Sequence, residues 1–189
     1  MSAFASLQRQ RGASMVEVLV TMVVIAIGLL GVAGLQYRVQ LSDMETYQRS
    51  QALVLLEDMA SRISTNRASA ASYVTTAANP LGVGTPCPNT VDTRQEIDAL
   101  QWCNALQGAA EMEGAGKVGA MIGARGCVES LPNNEYLITV AWQGLTPVSA
   151  PPAGVACGAD LYDGAADTSC AGDRCRRVVT TIVRIATLS

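Results

Sequence analysis

One carboxylate is out of place. Glu17 lies inside an apolar stretch from Ala13 to Leu35, and from Val18 to Tyr37 no Asp, Glu, Lys or Arg follows it. A carboxylate in a membrane-spanning helix costs about 2.5–3.5 kcal/mol on insertion scales and is a functional position by default. It needs a cation at similar depth, and none of the residues that follow supplies one. Cleavage after Gly12 would create it, because a new α-amino group on Ala13, with an ordinary pKa of about 7.7–8.0, is largely protonated. That amine could meet Glu17 of a neighbouring subunit, a pairing that sets register more than it adds stability. The plainer alternative is a carboxylate near the membrane surface that snorkels to the headgroups.

The rest of the sequence excludes more chemistry than it offers. There is no histidine, which removes Ser-His-Asp and Cys-His catalytic pairs, HExxH zinc sites and histidine proton shuttles. The net charge is −3, with no dense Lys/Arg patch, so direct nucleic-acid binding is not expected. Six cysteines, Cys87, Cys103, Cys127, Cys157, Cys170 and Cys175, all follow the apolar stretch. No CxxC occurs, so disulfides in an oxidising compartment are favoured over zinc or thiol redox chemistry. Six cysteines allow fifteen pairings. Proximity favours Cys87–Cys103 and Cys170–Cys175, which leaves Cys127–Cys157. Gly114-Ala115-Gly116-Lys117-Val118-Gly119 matches GxGxxG by letter, but no hydrophobic strand precedes it, and a flexible loop is the expectation. The acidic pairs Asp160/Asp163 and Asp167/Asp173 lack calcium-loop spacing and are read as solvated. No metal and no cofactor are expected.

The elements that must position these residues begin at the amino terminus. Arg9 and Arg11 are the only charges in a short polar leader. The 23 apolar residues that follow would span about 34 Å as a helix, enough to cross a membrane. The positive-inside rule keeps the arginines cytoplasmic and sends the remainder outward. The apolar run is longer than that of an ordinary secretory signal, and no Ala-x-Ala follows it.

Arg11-Gly12-Ala13-Ser14-Met15-Val16-Glu17-Val18-Leu19-Val20 resembles the class III signal of type IV prepilins and pseudopilins. That signal has a short basic leader, a glycine before the scissile bond and a glutamate at the fifth mature position of an apolar helix. Ile25-Ala26-Ile27-Gly28-Leu29-Leu30-Gly31-Val32-Ala33-Gly34-Leu35-Gln36 is similar to the minor pilin class called PilV. The resemblance implies cleavage between Gly12 and Ala13 by a prepilin peptidase, N-methylation of Ala13 and assembly into a pilus. Ala13 departs from the phenylalanine usual in the family.

Beyond the apolar run, Leu41, Met44, Gln48, Ala52, Leu55, Leu56, Met59 and Ile63 keep helical spacing, and no proline interrupts Ser14 to Asn66. One helix of about 80 Å is expected, its second half lying against a head. Gly28, Gly31 and Gly34 are read as sites of close helix packing in the membrane. Ala68 to Pro88 reads as a loop. Thr93-x-x-Glu96 is a capping-box pattern before Ile97, Leu100, Cys103 and Leu106. Gly108 to Gly126 reads as irregular, Cys127–Leu131 with Tyr136–Gln143 as a hairpin, and Gly144 to Asp173 as a long loop. Arg176 to Thr187 closes as a strand, with Val179, Thr181, Val183 and Ile185 on one face.

The predicted class is therefore α+β, type IV pilin-like: a long N-terminal helix packed on a small antiparallel sheet with disulfides. Its segments are a cleaved leader (1–12), a transmembrane assembly helix (13–35), an amphipathic continuation (36–67) and an exported head (68–189). The expected function is structural, not enzymatic. The resemblance implies a minor pilin held in the inner membrane, then incorporated with other minor pilins and the major pilin into an assembly-priming complex near the tip. A tip adhesin is a further possible partner, and motility, adhesion and DNA uptake follow from the whole filament. The rival readings are a type II secretion minor pseudopilin, a membrane-anchored periplasmic thiol enzyme and an ordinary secreted protein with an unusual signal.

Overall fold

The computed structural model describes residues 14–109, 112–113, 116–117, 121–165 and 167–186. The chain divides into two compact units, one ending at Ser42 and the other beginning at Asp43. Helix α1 (Met15–Thr65) runs through the end of the first and into the second.

In the first unit the helix starts on Ser14, whose carbonyl and hydroxyl both accept the Glu17 N–H, at 3.0 and 3.3 Å. Ser14 thereby satisfies a first-turn donor that has no partner within the helix. Glu17 complements the positive end of the helix dipole, as Arg62 complements the negative end in the last turn. The Thr21 hydroxyl donates to the Val18 carbonyl at 2.8 Å, so the run's threonine is satisfied within its own helix. The segment is long and apolar enough to cross a membrane, with mean hydropathy 2.7 and none of that window buried. Nothing lies within 4 Å of a Cβ built on Gly28, Gly31 or Gly34.

The second unit is a helix-on-sheet domain. A 3-10 helix (Arg67–Tyr73) follows α1, then β1 (Leu81–Gly82), α2 (Arg94–Leu106), a two-strand ribbon β2 (Met112–Glu113) and β3 (Gly116–Lys117), and the strands β4 (Arg125–Leu131), β5 (Glu135–Gln143) and β6 (Arg176–Arg184). The main sheet is antiparallel in the order β1-β4-β5-β6. Asn133 and Asn134, both at positive φ, turn β4 into β5. Ala52, Leu56, Met59 and Ile63 of α1 pack with Trp102 and Leu106 of α2 on the sheet face formed by Val128, Ile138, Val140, Trp142, Val179 and Val183. This three- and four-residue spacing on α1 meets the alternation on the strands, the two periodicities that helix and strand geometry impose.

The long helix, the hairpin, the closing strand and the capping box at Thr93 are all present. The Thr93 hydroxyl accepts the Glu96 N–H, and the Glu96 carboxylate accepts the Thr93 N–H at 2.9 Å. Several expectations are corrected. The α1 stripe is buried only from Gln48 onward, and Met44 is exposed. On α2 the buried side is Asp98, Ala99, Trp102, Cys103 and Leu106, so Cys103 and Leu106 of the expected face are buried while Ile97 and Leu100 are only partly so. The reason is size, because Trp102 fills the space between α1 and the sheet and donates its indole N–H to the Leu55 carbonyl at 2.8 Å. Ala68 to Pro88 is not wholly loop, since it holds most of the 3-10 helix and β1. Within Gly108–Gly126, β2 pairs with β3 and β4 begins at Arg125. Gly116 and Lys117 of the GxGxxG match therefore lie in a ribbon, while Gly114, Ala115, Val118 and Gly119 fall outside the described residues.

Candidate assembly site

Gly12 and Ala13, the expected cleavage and methylation residues, lie outside the described residues. Glu17 is placed in the first turn of α1, exposed, one helical step from the Ser14 cap. Every large apolar residue from Met15 to Leu35 is exposed. An apolar helix left wholly uncovered has to be buried in lipid or against other helices.

In the second unit the polar groups are spent on fixing the head. Cys87 is bonded to Cys103, Cys127 to Cys157 and Cys170 to Cys175. The first ties the segment before α2 to that helix. The second ties β4 to the long loop between β5 and β6, and the third closes the end of that loop. The loop's acids are not merely solvated. Asp163 accepts the Gly172 and Asp173 N–H groups at 3.0 and 2.7 Å, and Asp173 accepts the Asp160 N–H and pairs with buried Arg176. Among the described residues no group of His, Cys, Asp or Glu could hold a metal ion.

Two clusters were not anticipated from the sequence. The first is centred on Asp98 of α2, which is fully buried. Its carboxylate accepts the Tyr73 hydroxyl at 2.6 Å and pairs with Arg62 at 2.8 Å and Arg94 at 3.2 Å. Arg62 also pairs with Asp58 at 2.9 Å and donates to Gln101 at 2.7 Å. Burial works to lower the Arg62 pKa, but hydrogen bonds and charge attraction from Asp58 and Asp98 outweigh it, and the net displacement is upward. The Tyr73 phenol is held above its ordinary value by burial first, then by its bond to Asp98. Asp58, Arg62, Arg94, Asp98 and Gln101 line a cleft of about 380 Å³. Its two acids and two arginines answer one another, so the cluster joins α1, α2 and the 3-10 helix. The second cluster is Glu45, whose Oε1 accepts the Leu145 and Thr146 N–H groups at 3.0 and 3.3 Å and lies 3.4 Å from Arg177. It fastens α1 to the start of the long loop.

Comparison with known families gives two contiguous matches. Residues 7–33 match the prokaryotic N-terminal methylation motif, and residues 34–109 match the Tt1218-like family, described as type IV pilin Tt1218. Both matches support a type IV pilin. No curated protein and no solved structure matches it. The N-terminal methylation motif implies processing by a prepilin peptidase and assembly with other pilins. The apolar helix and the motif together fit a protein anchored in a membrane and then built into a pilus.

Proposed function

We propose that the chain is a minor pilin of the PilV class. A prepilin peptidase cuts it between Gly12 and Ala13 and methylates the new Ala13 amine. Before assembly the leader faces the cytoplasm, residues 13–35 span the inner membrane, residues 36–67 continue the helix and the head from residue 68 lies in the periplasm. The subunit then joins other minor pilins in a complex that primes assembly and sits near the tip, where an adhesin could also attach. The Ala13 amine and Glu17 set the register of adjoining helices. One observation carries this reading: Gly12, Ala13 and Glu17 stand at the spacing of the signal, and Glu17 opens a helix whose large apolar residues are exposed from Met15 to Leu35.

The test is the mature amino terminus and the subunit's abundance in sheared pili. Mass spectrometry is expected to find a chain beginning at methylated Ala13, present at a small fraction of the major subunit. A chain still beginning at Met1, or one as abundant as the major subunit, refutes the proposal. A head recovered with a secretion apparatus and absent from pili transfers the chain to the type II pseudopilins.

A further inference from the structure

The ion pairs in the cleft beside Asp98 do not use all of its hydrogen-bonding groups. A guanidinium carries five N–H donors, one on Nε and four on the two Nη atoms. Arg62 donates from Nε to Asp58 and from Nη1 to Asp98 and Gln101. Arg94 turns only Nε to Asp98, at 3.2 Å. Nη2 of Arg62 and both Nη atoms of Arg94 therefore have no acceptor among the described residues. Acceptors are left over as well. Asp58 uses Oδ2, and Asn66 uses its amide nitrogen on the Tyr73 hydroxyl, so Asp58 Oδ1 and the Asn66 side-chain carbonyl have no donor among the described residues. All four residues line the cleft.

Spare guanidinium prongs beside spare oxygen acceptors select a ligand of mixed character. The fork of an arginine matches a carboxylate, which it can hold by two parallel bonds. Asp58 Oδ1 and the Asn66 carbonyl repel a second anionic oxygen but accept hydroxyl protons. Inorganic phosphate or acetate meets only the first demand, and a neutral sugar only the second. At about 380 Å³ the cleft has the size of a small-molecule site. A second hollow of about 300 Å³ shares Asn66 and Arg94 with it and adds Ser69, Ser72 and Gln95. The acid of that hollow, Glu96, is already turned to the Asp92 and Thr93 N–H groups at 3.0 and 2.9 Å. We propose that the two hollows bind an acidic saccharide, with the carboxylate of one sugar unit on Arg94 and the next unit of the chain in the second hollow. The inference uses only residues 58–101 and is independent of the minor-pilin reading.

The test is arginine-resolved NMR of the detergent-solubilised full chain, titrated with galacturonate, digalacturonate, galactose and acetate. Galacturonate is expected to bind saturably and to move the Arg94 Nε signal. Digalacturonate should bind more tightly than the monomer and also move the Gln95 side-chain amide. Galactose and acetate should each bind at least about tenfold more weakly than galacturonate. Arg94→Gln should weaken galacturonate binding about tenfold, and Arg94→Lys, which keeps the charge but loses the fork, should recover only part of it. The Arg94 side chain is 68% exposed, so both variants should keep the fold, which the urea midpoint checks. An Arg94 signal that does not move, acetate or galactose binding as well as galacturonate, a dimer no tighter than the monomer, or undiminished binding by folded Arg94→Gln would each overturn the proposal.

Discussion

Replacing Asp98 by alanine is the sharpest test of how the head is held. Its carboxylate, 1% exposed, is shared by Tyr73, Arg62 and Arg94. Removing one partner of a wholly buried ion pair costs about 3–5 kcal/mol. Here Arg62 keeps Asp58 and Gln101 and its side chain is 19% exposed, which places its share at the low end. Arg94 is 68% exposed and contributes under about 1 kcal/mol. The Tyr73 hydroxyl still accepts from Asn66 at 3.0 Å but loses its only acceptor, a penalty of about 1–3 kcal/mol. The expected loss is about 3 kcal/mol, a large part of a typical domain's stability. It should lower the urea midpoint by about 1–3 M at ordinary slopes. The assay is urea unfolding of the detergent-solubilised chain with disulfides intact, followed by the fluorescence of the buried residues Trp102 and Trp142. Asp98→Asn, which keeps an acceptor oxygen, should lose about half as much. A loss below about 1 kcal/mol for the alanine variant would show that the cluster does not hold α1 to α2.

Gly126→Ala should destabilise the head by about 2–3 kcal/mol in the same assay, because the added Cβ falls on the ring carbons of fully buried Trp102; an unaltered midpoint would mean that the indole can shift freely. Removing the Cys127–Cys157 bridge, whose cysteines are 30 residues apart, should cost about 3–4 kcal/mol on the loop-entropy model. Removing Cys170–Cys175, only 5 apart, should cost about 2, and calorimetry of the two paired serine variants checks the order. Burial holds the phenols of Tyr73 and Tyr162 above their ordinary value. Their contribution is complete below pH about 10, where the unfolded chain also keeps its protons, and is lost as pH rises from there through the folded-state values. Unfolding midpoints measured from pH 9 to 11 should fall, and fall less in Tyr73→Phe.

The local rules read the chain well where a pattern repeats over neighbouring residues. Thr93 and Glu96 announce their own capping box, and the alternation of Val179, Thr181 and Val183 announces a strand. What eluded them depends on residues far apart in the chain. Glu45 is bound to Leu145, Thr146 and Arg177, and no local spacing foretells that meeting. Asp98 did carry a signal, as a carboxylate one helical turn before Trp102 on the side of α2 that is buried. It was missed because the apolar residues Ile97, Leu100, Cys103 and Leu106 were counted as the buried face and a carboxylate was not. At the amino terminus the reverse holds. Gly12, Ala13 and Glu17 stand out by residue type and spacing, and the roles proposed for them involve a peptidase and a second subunit that a single folded chain does not contain.

The long connection between β5 and β6 is pinned near its start by Glu45, in its middle by the bond from Cys157 to Cys127 and the Tyr162 hydroxyl on the Gly123 carbonyl, and at its close by Cys170–Cys175 and Asp173. Substitutions between those rivets should be absorbed locally and leave the strands unchanged, as unfolding midpoints of such variants would check. The segment is therefore a cassette: its outer contour can be rewritten to suit a new surface while the frame beneath keeps its shape.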